Sequence, residues 1–218
     1  DEYSITRFLN GYWDEFLEDI MALIRIPSVS QPSGGGTYPF GEGCRKVLDA
    51  ALAMGARMGF KTENHEYYCG SIVMPGIGKG ETGIFAHLDV VPAGEGWQAT
   101  QPYEPVLKDG RIYGRGTADD KGPAVAALYA MRAVKELGIP LTKNVGLILG
   151  TDEECGSSDI AYYYNIEKEA PMTFSPDAEF PVINVEKGRL EGHFTGSFEK
   201  TKESARLVSL NAGIKVNV

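Results

Sequence analysis

The chain predicts an α/β fold, a sheet with helices on both of its faces. Three observations predict it. Apolar residues recur at helical spacing in several stretches, short apolar runs end in carboxylates or a histidine, and the two patterns alternate along the 218 residues as strand, helix, strand, helix, strand.

Taken in order, Phe8, Tyr12, Phe16, Ile20 and Ile24, with Trp13, Leu17 and Leu23 beside them, repeat as one helix that Pro27 ends. This aromatic stripe is expected to be core. Residues 28–40 are rich in Ser, Gly and Pro and read as a loop. Residues 41–58 form a second amphipathic helix, with Gly59 at its C-terminal cap. Residues 61–67, 71–74 and 82–88 are strands. Residues 105–108 and 111–113 flank Asp109-Gly110, a strong hairpin signal. Residues 120–137 make a helix with Pro123 in its first turn and Gly138 after its end. The continuous apolar run 144–151 suits a strand buried on both faces. A helix over 157–169 and short strands at 172–175 and 182–186 follow. After Lys187 the strands at 189–198 and 205–210 lack acidic endings, so a first domain is expected over 1–187 and the start of a second over 188–218.

Composition narrows the function. Apolar and charged fractions of 43% and 23% are those of an ordinary globular protein. The net charge of −9 argues against a nucleic-acid or anionic-membrane surface. No apolar run approaches the roughly 18 residues of a membrane span. Cys44, Cys69 and Cys155 are odd in number and widely spaced, which argues against a disulfide framework and points to a reducing, cytoplasmic setting. The chain starts without methionine and stops within an apolar–polar alternation, as expected of a chain cut at one or both ends.

The acids fall at equivalent places. His87 and Asp89 close the strand 82–88, Asp152, Glu153 and Glu154 follow 144–151, and Asp177 follows 172–175. Asp119 stands at a helix entry, where the dipole favours an anion. Sites of open α/β sheets form outside the carboxyl ends of the strands, so these residues share one rim. Carboxylates gathered there repel one another unless a cation sits among them. Arg115 and Lys121 are too few to supply it, so one or two divalent metals are expected, and imidazole with carboxylates suits zinc, cobalt or manganese. In an extended segment residues i and i+2 share a face, so Asp89 can accept the second ring N–H of His87 and orient it. Glu153 and Glu154 are adjacent, so one can bind metal while the other holds a proton; spacing leaves open which does which.

Four ordered motifs carry a resemblance: His87-Leu88-Asp89-Val90-Val91-Pro92 with Trp97 after it, the run from Gly114 through Asp119-Asp120-Lys121 to Gly122, Asp152-Glu153-Glu154, and Ser175-Pro176-Asp177-Ala178-Glu179-Phe180-Pro181. The chain resembles the M20 family of co-catalytic zinc peptidases, most closely its bacterial branch of carnosine-type and broad-specificity dipeptidases. The resemblance implies a zinc-peptidase-like mixed sheet flanked by helices, followed by the first strands of an incomplete α+β lid domain. It implies two Zn2+ ions, with Co2+ or Mn2+ as substitutes, bridged by Asp119. His87 and Asp177 then complete one site and Glu154 belongs to the other, Glu153 is the general base and acid, and Asp89 orients His87. It also implies a cis peptide bond between Asp119 and Asp120. An aspartate at position 177 goes in the family with a dipeptide substrate bearing a free amine, and Asn217 resembles a lid asparagine that holds substrate.

Two family histidines have no counterpart, one a ligand of the second zinc near the end of a longer chain and one supplied by the lid. His65 and His193 lack the context of either and are expected to be structural. This chain alone is therefore expected to be incomplete and inactive. Amidohydrolysis of N-acyl amino acids, and an inactive metal-binding fragment, are the competing readings.

Overall fold

Among the described residues the elements run α1 (Glu2–Gly11), α2 (Trp13–Ile24), α3 (Glu42–Arg57), β1 (Lys61–His65), β2 (Cys69–Met74), β3 (Glu81–His87), β4 (Val106–Lys108), β5 (Arg111–Tyr113), α4 (Lys121–Glu136), β6 (Asn144–Gly150), a 3-10 turn (Glu153–Cys155), α5 (Ser158–Ile166) and β7 (Thr173–Phe174). The computed structural model describes residues 2–32, 37–78 and 80–177, and beyond them 183–185, 188, 190, 192 and 195–197. The chain divides into two compact units, Asp1–Ala178 and Glu179–Val218.

The first unit is built on a five-stranded sheet of order β1-β2-β6-β3-β7. β2 pairs antiparallel with β1 and β6, and β3 runs parallel to β6 and β7, so the sheet is mixed. Alternation along β6 sorts its side chains between two helical layers. Leu147 and Leu149 join the large core with Leu23, Ile24, Val47, Leu48, Val125 and Leu128 of α2, α3 and α4. Ile148 points the other way, to Cys69 of β2 and Tyr163 of α5. Full burial of each such aliphatic side chain contributes about 1.5–3 kcal/mol. The expected sheet with helices on both faces is therefore present. His65 belongs to the α5 layer: it is buried, its Nε2 lies 3.0 Å from Ser71 Oγ, and its ring meets Tyr163 edge-on.

The amino-terminal helix differs from expectation. Residues 8–24 do not form one helix but parts of two, broken at Tyr12, whose φ of −112° and ψ of 14° leave the helical basin. Gly11 precedes the break, and a glycine in a helix interior costs about 1 kcal/mol relative to alanine. The stripe is core at Ile20, Leu23 and Ile24, and Phe16 packs edge-on against Tyr129 of α4, but Trp13 is exposed. α5 ends at Ile166 rather than near 169, because Glu167 is already extended. The hairpin β4–β5 turns at Asp109 and Gly110 with φ of 51° and 73°, the double left-handed turn that an Asp-Gly pair favours.

No helix among the described residues is long and apolar enough to cross a membrane. Among the described residues Cys44, Cys69 and Cys155 form no disulfide. In the second unit, residues 183–185 of the strand expected at 182–186 lie in no strand, and Ile183 and Val185 are exposed; among the described residues no neighbouring strand takes up their backbone. The described residues of 189–198 also lie in no strand. Residues 205–210, His193 and Asn217 lie outside the described residues, and so does Lys187, after which the second domain is expected to begin.

Candidate metal centre

The site starts from the strand register. β3 and β6 pair so that His87 is opposite Gly150, and Leu88 N donates to Gly150 O at 2.9 Å, so both strands end together. The chain beyond β3 is held by the loop at 28–30. Ser28 Oγ donates to Leu88 O at 2.7 Å, Val90 N donates to Ser28 O at 3.0 Å, and Val29 forms a parallel bridge with Val90.

His87 is 2% exposed, and both ring nitrogens face oxygen. Nδ1 lies 3.0 Å from Asp89 O and 3.3 Å from Asp89 Oδ1. A proton on Nδ1 leaves the Nε2 lone pair free as a ligand. Nε2 is 2.9 Å from Asp119 Oδ1, 3.4 Å from Asp177 Oδ2 and 3.8 Å from Glu153 Oε2. Burial pulls the imidazole down, but Asp119, Asp177 and Asp89 outweigh it and hold the ring well above its ordinary value. This spot attracts positive charge.

Asp89 does more than face the ring. It is fully buried, and its Oδ1 and Oδ2 accept the backbone N–H groups of Glu153 and Glu154, each at 3.1 Å. One carboxylate thus ties the histidine to the turn that carries both glutamates. Burial, then the neighbouring carboxylates of Asp177, Asp89 and Asp119, raise Glu153, while His87 lowers it. Burial and Asp119 push Glu154 up to about 7. Asp119 is held low by its hydrogen bond to His87.

His87, Asp119 and Glu154 offer ligand atoms within 4.8 Å of one another, and so do His87, Asp120 and Asp177. Asp120 is the residue that sequence reasoning left without a role. It is fully buried, its Oδ2 accepts His87 N at 3.1 Å, and its Oδ1 has no hydrogen-bond partner among the described residues. Burial pushes its carboxyl up to about 7. Its one sequence signal is adjacency to Asp119, and their peptide bond is cis, as the resemblance implied. An orphaned buried carboxylate oxygen beside a histidine and several acids is a donor set that fits a divalent cation. A cavity of about 240 Å³ opens beside it, lined by Phe85, His87, Glu153, Ser157, Ile160 and Asp177 among others.

The expected residues His87, Asp89, Asp119, Glu153, Glu154 and Asp177 are brought together; Asn217 lies outside the described residues. A family model described as Peptidase family M20/M25/M40 matches residues 83–206. The chain belongs to peptidase family M20/M25/M40. This M20 chain is 38% identical over 208 residues to the putative dipeptidase YtjP of Bacillus subtilis. It is 41% identical over 207 residues to the Beta-Ala-Xaa dipeptidase of Lactobacillus delbrueckii subsp. lactis. Each match takes in 94% of this chain but 44% of the relative, so the chain spans less than half the length of either. Among solved structures, human carnosine dipeptidase 1 matches with a TM-score of 0.66 and 24% identity, over 81% of this chain and 41% of that one. An M20 metallo-carboxypeptidase of Sulfolobus solfataricus matches with a TM-score of 0.61 and 24% identity, over 75% and 37%. Both structures support the M20 fold as described.

Proposed function

We propose that the protein to which this M20 chain belongs is a zinc-dependent dipeptidase acting on dipeptides with a free N-terminal amine. The observation that carries this reading is the convergence of Asp119, Asp177 and Glu153 oxygens on His87 Nε2, with Glu154 within ligand distance of His87 and Asp119. Two zinc ions would fit the donor set: Asp119, His87 and Asp177 would hold one, and Asp119 with Glu154 the other; cobalt or manganese would be accepted by the same donors. When bound, zinc polarises the scissile carbonyl and acidifies the attacking water. Glu153, exposed and raised above its ordinary value, takes the proton of that water at its carboxylate and passes it to the leaving amine. Asp89 keeps the His87 ring and the Glu153 backbone in register with each other. The names of the two relatives as dipeptidases support the substrate class. Three widely spaced cysteines, none in a disulfide, support a reducing, cytoplasmic setting.

The test is Glu153→Gln in the full-length protein. Zinc stoichiometry should stay at two, while turnover of Ala-Leu or β-Ala-His falls about 10²–10⁴-fold. Unchanged turnover would remove Glu153 from the mechanism. Faster hydrolysis of N-acetyl amino acids than of either dipeptide by the wild-type protein would overturn the substrate class.

A further inference from the structure

The turn leaving β6 carries Glu153 and Glu154, and four successive backbone N–H groups of it point into two buried carboxylates. Glu153 and Glu154 donate to Asp89. Thr151 and Asp152 donate to Asp159 Oδ2, at 2.6 and 2.9 Å. Asp159 Oδ1 accepts Ile160 N at 2.8 Å, so both its oxygens are committed to the backbone. Asp159 is 0% exposed; burial raises its carboxyl above the ordinary range, and the backbone N–H groups of Ile160, Thr151 and Asp152 oppose that rise by stabilising its charge. A buried carboxylate without an ion pair is costly unless such bonds are made, so its position is tightly tied to theirs.

Its surroundings leave it no other place. A Cβ on Gly150 would stand 2.5 Å from Asp159 Oδ2, so the carboxylate lies directly against the end of β6. Asp159 is in the first turn of α5, and Tyr163 one turn later packs with Cys69 and Ile148 on the sheet. From the first turn of α5, Asp159 thus holds the two peptide groups just ahead of Glu153.

We infer that Asp159 is a positioning residue: through Thr151 and Asp152 it fixes where the chain leaves β6, and so where the Glu153 and Glu154 carboxylates stand. This rests on the proposed roles of those two glutamates. Asp89 sets the turn from the side of His87, and Asp159 sets it from the side of α5.

The experiment compares Asp159→Asn, which keeps the shape but turns one acceptor into a donor, with Tyr163→Leu, which loosens α5 without touching the turn. Both are made in the full-length protein, stripped of metal and titrated with zinc against a chromophoric chelator. For Asp159→Asn, affinity at one zinc site should fall about 10–100-fold while the other changes little, and kcat on Ala-Leu should fall with KM nearly constant. Tyr163→Leu should lower Tm but leave zinc affinity and kcat within about twofold. Zinc affinity and kcat of Asp159→Asn near wild type, or reduced no further than in Tyr163→Leu, overturn the inference. If Asp159→Asn does not fold, Gly150→Ala displaces the same oxygen while keeping the carboxylate. The same selective zinc loss supports the inference and unchanged affinity overturns it. A wild-type protein that binds no zinc overturns the proposed function and this inference with it; one that binds zinc while the variants are unaffected overturns this inference alone.

Discussion

Two acidic clusters in this chain are solved in opposite ways. In the helical layer, Asp19 accepts Arg57 Nη2 at 2.6 Å and Tyr129 OH at 2.8 Å. Glu15 accepts Arg132 Nη1 at 3.0 Å and Glu136 accepts Arg132 Nε at 2.8 Å, while the Arg132 guanidinium lies 3.9 Å over the Tyr12 ring. At the rim of the sheet, Asp89, Asp119, Asp120, Glu153, Glu154 and Asp177 surround His87, and among the described residues no Lys or Arg forms an ion pair with them. Lys121, next in sequence to Asp120, turns its ammonium away to the carbonyls of Leu23 and Ile26. Two glutamates show the result. Arg132 holds Glu136 below the usual carboxylate range, whereas burial and Asp119 push Glu154 up to about 7. The first cluster carries its own counter-charge and stabilises the fold. The second is arranged to receive one.

Four measurements sharpen or break this contrast, the largest effect first. Asp89→Ala removes the acceptor shared by the Glu153 and Glu154 N–H groups and faced by His87. Zinc affinity of the full-length protein should fall about 10–100-fold with its circular dichroism unchanged. Equal zinc affinity would mean that the turn is held without it. The next is pH. Glu154 and Asp120 bind protons when folded up to about 7, well above their unfolded values, and His87 holds its proton to higher pH than when unfolded. All three make the folded, metal-free state bind more protons than the unfolded state; Lys121, which burial lowers to about 7, works the other way but is one group against three, so stability rises as pH falls through about 7 towards the unfolded carboxylate range. Tm after chelation should therefore be higher at about pH 6 than at about pH 8, with zinc affinity changing in the opposite sense as protons compete. A Tm that falls over that interval would break the account of the rim.

Asp19→Ala tests the other cluster. It should cost about 1–3 kcal/mol by leaving the buried Tyr129 hydroxyl unpaired, lowering Tm while zinc affinity stays as in the wild type. A loss of zinc binding beyond that of other equally destabilised variants would show that the clusters are coupled. The smallest effect belongs to Glu18→Ala, which removes a pair with Arg25 in which both side chains are about half exposed; stability should move by about 0.2–1 kcal/mol at most.

What the sequence made legible was what local rules decide. Alternation and helical periodicity located the sheet, α3, α4 and the Asp109-Gly110 hairpin, because burial of one face follows directly from spacing. The break at Tyr12 was hidden because apolar periodicity continues straight through it. Candidate ligands were readable because each stands at a strand end or helix entry. Asp120 and Asp159 were not, since their partners are backbone N–H groups brought in by other elements, and a backbone donor leaves no mark in a sequence. Asp89 was half legible: its nearness to His87 follows from the strand, its grip on Glu153 and Glu154 only from the fold.

The pairing of His87 with Gly150 across β3 and β6 makes the rim a proofreader of folding. A one-residue slip would send Leu147 and Leu149 to the α5 side and, in the same step, carry His87 off the acids that face it. Misregistered chains would thus lack both a sound core and a ligand set, so in a refolding mixture a divalent metal taken up at this rim would count the molecules whose strands have paired correctly.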